Sequence, residues 1–197
     1  NIDRNINIEI GAICLPKINE EVSGDAWAME QDGERTLFLV ADGLGHGPLA
    51  AQASLEAVKI FRANASKTPT QIIELAHQAL RSTRGAAVAI AELNSQQEII
   101  RFAGVGNISA SVISPSGNYS MVSHNGTVGH EVRKIQEFVH NWPKQGILIM
   151  HSDGLGTQWR FDRYPGLIAK HPSLIAGVLY RDFNRVRDDV TVLVISH

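Results

Sequence analysis

The sequence is poor in the features that mark exported, membrane-spanning or nucleic-acid-binding proteins. Its one cysteine, Cys14, excludes an internal disulfide and cannot by itself form a zinc site. No apolar run approaches the roughly 20 residues of a membrane span, and the first residues lack a signal peptide's basic-then-apolar layout. The formal net charge of −2 gives no signature of a polyanion partner. We therefore expect a cytoplasmic protein with no nucleic-acid or membrane partner.

The composition is that of an ordinary globular domain. The 197 residues are 44% hydrophobic and 19% charged, which is enough apolar material for a substantial core. No internal repeat, low-complexity tract or flexible linker interrupts them. We therefore expect one domain over residues 1–197. Because the sequence starts at Asn1 without a Met, it is also consistent with a processed chain or a domain cut from a longer protein.

The middle of the chain changes from a buried strand to two helices. Thr36–Ala41 is wholly apolar, as in a strand buried on both faces. Pro48–Ala65 repeats apolar residues at helical spacing. A second helix is expected to start with Thr68 as its N-cap, Pro69 at its first position and Gln71 placed for a capping box.

Most of the remaining chain follows the two-residue period of strands. An order rich in strands around a central helical pair favours mostly antiparallel sheet with helices packed outside, an α+β fold. Ile135–Asn141 and Gly146–His151 are expected to form a hairpin, and Ser173–Asp182 a short helix. The other strands are expected at Ile6–Cys14, Ala26–Met29, Ala86–Leu93, Glu98–Val105, Ile108–Ser114, Tyr119–Val122 and Val190–Ser196.

Aspartates stand where the buried strands end or begin. Asp42 and Asp153 each follow a buried strand and precede a glycine, and Asp188 and Asp189 lie at the entrance to the last strand. Asp25 comes just before another expected strand. One strand-end aspartate is commonly only a turn residue. Several acids brought together, however, would repel each other and shift their pKa values unless a cation neutralised them.

The donor atoms of this set favour a hard metal ion. It is rich in oxygen and lacks clustered Cys or paired His, which favours Mg²⁺ or Mn²⁺ over zinc. Two such ions about 4 Å apart can share a water, lower its pKa and hold a phosphoryl oxygen. The pattern therefore points to hydrolysis of a phosphate ester.

The same residues lie in motifs that resemble those of a known family, the bacterial PPM phosphatases (SpoIIE-like relatives of protein phosphatase type 2C). The similarity runs from about residue 20 to about residue 195. The length and turns of the chain resemble those of RsbX-like stressosome phosphatases. They also resemble those of the phosphatase half of proteins fused to an RsbT-like ATPase. The motifs are Ser23-Gly24-Asp25, Val40–Gly47, Phe102–Asn107, His151–Leu155 and Arg187–Thr191.

The resemblance implies an αββα sandwich, two mostly antiparallel sheets flanked by helices, with two divalent cations in a cleft at one edge. By that resemblance, Asp42 would bridge both ions and Gly43 would offer its backbone carbonyl. Asp153 and Asp188 would complete the shell, and Asp25 would bind directly or through water. The nucleophile would be a water molecule rather than a side chain.

This sequence departs from the family's pattern in several places. Leu44 stands where eukaryotic relatives carry a candidate acid, His, and His46, two residues further on, is either a proton donor or an ordinary loop residue. Glu20–Glu21 occupy the region of the phosphate-gripping Arg. Asn107 replaces a third-metal Asp, and Asp189 replaces a frequent Asn and is expected to support its neighbours. These departures predict a slow, partner-selective enzyme.

The resemblance implies a serine/threonine protein phosphatase of a bacterial stress or sigma-factor partner-switching pathway. Its substrate would be a phosphorylated STAS-type regulatory protein, and a fused or separate RsbT-like kinase module is a further expected partner. Two alternatives stay open. One is a pseudophosphatase that acts as a binding module, and the other is a different two-metal enzyme such as a nucleotide cyclase.

Two smaller features also have open interpretations. Arg181, Arg185 and Arg187 are either a steering patch for an acidic phosphoprotein or a solvated basic face. The glycines Gly126 and Gly129 belong either to a flap near the substrate or to a simple turn.

Overall fold

In the computed structural model, which describes residues 8–196, strands and helices follow the order that the sequence predicts. The first part of the chain contains β1 Glu9–Leu15, β2 Asp25–Asp32, β3 Arg35–Gly43, α1 Pro48–Ala63 and α2 Pro69–Ala79. The middle contains β4 Ala86–Asn94, β5 Ile99–Val105, β6 Ser109–Ile113, β7 Tyr119–Met121, β8 Gly126–Thr127 and β9 Glu131–Val132. The last part contains β10 Glu137–Asn141, β11 Ile147–His151, α3 Pro172–Phe183 and β12 Val190–Ser196.

Ten of these strands form two antiparallel sheets. Sheet 1 has the order β1-β12-β11-β6-β7, and sheet 2 has the order β10-β5-β4-β3-β2. The two-residue strands β8 and β9 pair with each other in a small separate hairpin. The antiparallel pairing that the sequence predicts is therefore confirmed.

The apolar residues divide into three layers that fix how the elements stack. Between the sheets lies a core that includes Phe38, Phe102, Leu148 and Leu193. A second core lies between sheet 2 and the helices α1 and α2, and a third lies between sheet 1 and α3. Alternate residues of a strand point to opposite faces, so each central strand contributes to two cores. The result is the expected αββα sandwich.

The start of α2 is formed by local signals. The Thr68 hydroxyl accepts a hydrogen bond from the Gln71 backbone N–H at 3.3 Å, and the Gln71 side chain accepts one from the Thr68 N–H at 3.1 Å. Pro69 follows at the first helical position. This reciprocal capping box satisfies two of the N–H groups that a helix start leaves without partners. The prediction for this helix start is confirmed.

The expected hairpin between Ile135–Asn141 and Gly146–His151 is wrong. β10 pairs with β5 at the edge of sheet 2, whereas β11 lies between β12 and β6 in sheet 1. The short connection at residues 142–146 carries the chain from one sheet to the other. A period of two identifies strands but not their partners. The two strands are close in sequence, and the hairpin was predicted from that closeness alone.

The first expected strand and the membrane-spanning helices can be assessed only within the described residues. β1 begins at Glu9 rather than at Ile6, and residues 6 and 7 of that expected strand lie outside the described residues. Among residues 8–196, none of the helices is long and apolar enough to cross a membrane.

Candidate active site

The predicted carboxylates come together at one edge of the sandwich. Asp25, the first residue of β2, lies directly opposite Asp42, near the end of β3. β11 ends at His151, so Asp153 lies in the turn that follows, and Asp188 precedes β12 in the neighbouring position of the same sheet. Both sheets thus contribute acids to the same edge.

Close glycine contacts hold these segments against one another. A Cβ on Gly43 would lie 2.0 Å from the backbone oxygen of Ala50 in α1, and one on Gly154 would lie 2.0 Å from the backbone oxygen of Asp189. A Cβ on Gly24 would lie 2.7 Å from the Asp189 carboxylate. Any side chain at these positions would push the motifs apart. The glycines therefore belong to the site because of packing.

Ser152 connects the two sheets at this edge. Its buried hydroxyl donates to Asp25 Oδ2 at 2.6 Å and accepts from the backbone N–H of Thr191 in β12 at 2.9 Å. Sequence reasoning gave this residue no role. Its place in the His151–Leu155 motif was the available signal.

Asp42 is the electrostatic centre of the group. Burial raises its pKa to about 8, and the negative charges of Asp25, Asp153, Asp188 and Asp189 add to the rise. A carboxylate surrounded in this way favours either a proton or a cation. The bridging role that the resemblance implies for Asp42 stays a prediction.

Asp25 has a similar but partly compensated environment. Burial raises its pKa to about 7, against hydrogen bonds from Ser152 and Thr191 that lower it, and Asp189 and Asp188 raise it further. Its Oδ1 is buried without a hydrogen-bond partner among the residues described. A buried carboxylate oxygen without a partner is costly unless a cation or water satisfies it.

Asp189 is buried, unlike its exposed neighbour Asp188. Its Oδ1 accepts a hydrogen bond from the Lys17 backbone N–H at 2.9 Å, and its own N–H donates to Asp188 Oδ1 at 3.0 Å. Its Oδ2 has no partner within the described part of the chain. It thus orders the segment around Asp188 and presents a second unsatisfied acceptor near Asp25, while its supporting role stays a prediction.

A cleft of about 530 Å³ opens beside these acids. Asp42, Asp153 and Asp188 line it, and the side-chain amide of Asn107 donates to Asp153 Oδ2 at 2.7 Å. Across residues 8–196, no three Asp, Glu, His or Cys side chains stand at the spacing of a finished metal shell. The donor chemistry and the two unsatisfied oxygens fit a divalent cation, but the ligand shell is not preformed.

Basic residues also line the cleft. They are Lys17, His46 and Arg187, so one residue of the predicted arginine cluster borders the site. Nδ1 of His46 lies 2.5 Å from Glu20 Oε1, and the His46 side chain is 47% exposed. Glu20 therefore holds the His46 imidazole, and it belongs to the sequence region where the resemblance implies a phosphate-gripping arginine.

The short hairpin β8–β9 borders the same cleft. Gly126 and Thr127 are among the lining residues. Gly126 and Gly129 both adopt positive φ angles, which explains why glycine occupies the two positions. The hairpin is thus both a glycine turn and a wall of the cleft.

Comparison with known proteins places this fold and site in context. The family model "Stage II sporulation protein E (SpoIIE)" matches residues 32–197, a stretch that includes Asp42, Asp153 and Asp188 but not Asp25. The phosphoserine phosphatase RsbX of Bacillus subtilis (strain 168) is 30% identical over 157 residues, 79% of each chain.

Solved structures agree with this match. One solved structure, described with the words "The bacterial stressosome: a modular system that has been adapted to control secondary messenger signaling", is 25% identical with a TM-score of 0.89, over 96% of this chain and 99% of that one. RsbX in complex with magnesium is 26% identical with a TM-score of 0.82, over 99% and 98% of the two chains. The SpoIIE phosphatase domain of Bacillus subtilis, at 21% identity, shares the fold with a TM-score of 0.77, over 96% of this chain and 63% of that one.

Proposed function

Because the chain belongs to the SpoIIE family of PPM-type serine/threonine phosphatases, we propose that it hydrolyses phosphoserine and phosphothreonine at the carboxylate cleft, with two divalent cations. The observation that carries this proposal is the meeting of Asp42 with the other carboxylates at one sheet edge and cleft, where burial first, and their charges next, raise the pKa of Asp42. Such a cluster favours positive charge in its midst, and its oxygen donors suit Mg²⁺ or Mn²⁺.

The proposed ligands are the side chains of Asp25, Asp42, Asp153 and Asp188 and the backbone carbonyl of Gly43. When bound there, the two ions supply Lewis acidity and a water molecule of lowered pKa that can attack phosphorus. Attack forms a new P–O bond and breaks the bond to the seryl or threonyl oxygen. The products are inorganic phosphate and the free hydroxyl, which takes up a proton.

Basic residues of the cleft handle the phosphate and the leaving oxygen. Lys17 and Arg187 line the cleft together with the acids and can offset the charge of a phosphoryl group. The Glu20 carboxylate accepts the hydrogen of His46 Nδ1, which leaves Nε2 for the cleft. We assign His46 as the donor of a proton to the departing hydroxyl, and Glu20 as the residue that positions it.

The biological setting is proposed from the relatives. One is named a phosphoserine phosphatase, and the description of another names the bacterial stressosome. The proposed substrate is accordingly a phosphorylated STAS-type protein of a stress or sigma-factor partner-switching pathway in the cytoplasm. An RsbT-like kinase, fused or separate, is the proposed opposing activity.

Hydrolysis of an aryl phosphate and of a phosphorylated STAS-type protein tests the proposal. Wild-type protein should be active with Mn²⁺ or Mg²⁺ and inactive with chelator, and Asp42→Asn should lower kcat at least about 100-fold. Asp162→Asn, an exposed acid paired with Arg160, is the matched control and should keep full activity. An unchanged rate in Asp42→Asn would overturn the mechanism. Tight binding of the phosphoprotein without turnover in either metal would favour the binding-module alternative.

A further inference from the structure

The outer face of sheet 1 is only partly covered. α3 packs over β1 and β12, and its core includes Ile149 of β11. On the next strand, Ser111 lies opposite Ile149, and Ser120 of β7 lies opposite Ser111. Directly paired residues of an antiparallel sheet share a face. The apolar face therefore changes to hydroxyl groups at β6 and β7, where the helix no longer covers it.

A groove of about 540 Å³ runs over this hydroxyl surface. We call it the hydroxyl groove. It begins at Gly106 and Asn107, which also line the catalytic cleft, and it follows β6 to Ile113. Its other lining residues include Ser109, Ser111, Ser120, His151, Thr157 and Trp159. The groove and the cleft are therefore neighbours that meet at the residue whose amide holds Asp153.

The chemistry of the groove restricts what it can hold. Within the described part of the chain, its lining contains no Asp, Glu, Lys or Arg. Nδ1 of His151 contacts the Ser152 carbonyl oxygen at 2.8 Å, so this ring nitrogen already has a partner within the protein. A charged occupant would lose hydration with no opposite charge to replace it, whereas hydroxyl groups suit peptide N–H and C=O groups.

The length of the groove matches a short stretch of chain. From Ser109 to Ile113, β6 rises about 3.3 Å per residue, or about 13 Å in all. An extended peptide of about four residues spans that distance. The indole N–H of Trp159 is buried beside the groove with no acceptor among the described residues, so the site also has a spare donor.

We propose that the hydroxyl groove binds the extended, uncharged segment of the substrate phosphoprotein that directly adjoins the phosphorylated residue. This inference rests on the proposed function, since the phosphoryl group is taken to occupy the cleft at Asn107. Selectivity for a partner would then come from about four flanking residues rather than from the phosphate. A small aryl phosphate would fill the cleft and leave the groove empty.

Blocking the groove tests the proposal. Ser111→Tyr and Ser120→Tyr place a large side chain on the groove floor while keeping a residue type that suits strands. Gln31→Tyr is the control, because Gln31 is exposed on β2, the edge strand of sheet 2. Each variant is assayed with Mn²⁺ on an aryl phosphate and on a phosphoserine peptide with four uncharged residues on each side.

We expect both groove variants to lower kcat/KM on the peptide about tenfold or more, and to keep the aryl phosphate rate within about twofold. The control should change neither rate. Unchanged peptide rates, or equal losses on both substrates, would overturn the groove assignment. If wild-type protein fails even on the aryl phosphate, the proposed function fails instead. Calorimetric titration with the same peptide then tests the groove directly, and equal affinity in wild type and the groove variants would overturn it.

Discussion

Replacing Asp42 with Asn should stabilise the metal-free fold even though it removes activity. The reason is that the Asp42 carboxylate is largely buried among Asp25, Asp153, Asp188 and Asp189, which together with burial raise its pKa to about 8. Asn keeps nearly the same shape and removes the charge. In chelator, the substitution therefore relieves desolvation and repulsion at once.

The pH dependence follows from the proton that Asp42 binds. In the unfolded chain an aspartate has a pKa of about 3.9. Between about pH 4 and pH 8 the folded state holds a proton that the unfolded state has released, so the free energy of unfolding of wild type falls as pH rises. A shift of this size bounds the effect at about 4 kcal/mol at pH 7. Because Asp25 shares the same negative field, we expect Asp42→Asn to gain about 2 to 4 kcal/mol.

Urea unfolding in chelator at pH 5 and pH 7 measures this gain, and a melting curve should show a Tm rise of roughly 5–10 °C at pH 7. The gain should shrink towards pH 4. Asp162→Asn, whose exposed ion pair contributes little, should stay within about 0.5 kcal/mol of wild type. Saturating Mn²⁺ should reverse the order, because ligand binding stabilises only the protein that keeps its site. A metal-free Asp42→Asn that is no more stable than wild type at pH 7, or a gain that does not vary with pH, would refute the reasoning.

Four further substitutions give three separate tests of the site. Glu20→Gln and His46→Gln should slow hydrolysis of a seryl phosphate about tenfold or more but spare an aryl phosphate with a good leaving group, as rates on the two substrates will show. Asn107→Asp puts a second carboxylate against Asp153. The added repulsion should lower Tm in chelator, and the added ligand should lower the Mn²⁺ concentration that gives half-maximal activity. No change in either quantity would contradict this. Ser152→Ala leaves its two hydrogen-bond partners unpaired and should cost about 2 to 3 kcal/mol in urea unfolding, and a loss below about 0.5 kcal/mol would contradict that role.

Local features of the fold could be predicted from the sequence because interactions between neighbouring residues determine them. The start of α2 needed only Thr68, Pro69 and Gln71, which satisfy the first N–H groups of the helix without outside contacts. The run Thr36–Ala41 identified a buried strand because none of its residues carries a charge, so both of its faces can be buried. Strand ends and acids could therefore be placed before any tertiary structure was known.

Contacts between segments that are far apart in the sequence could not be predicted in this way. Ile147–His151 is apolar on both faces, so its pattern fits the centre of either sheet and does not name its partners. Likewise, Ser152 looks like an ordinary turn residue until the stacking of the sheets brings Asp25 within 2.6 Å. The roles of such residues depend on register and stacking, which arise from the whole core.

The site brings mutually repelling carboxylates together at the edge where the two sheets of the sandwich contact each other. Asp25 and Asp42 come from sheet 2, whereas Ser152 and the aspartates before β12 come from sheet 1. The core between the sheets and the close contacts at the glycines force these acids together, so the favourable packing elsewhere offsets their repulsion. A cation held by acids of both sheets would turn that repulsion into a link between them. Metal binding should therefore affect the stability of this edge more than that of the helical layers.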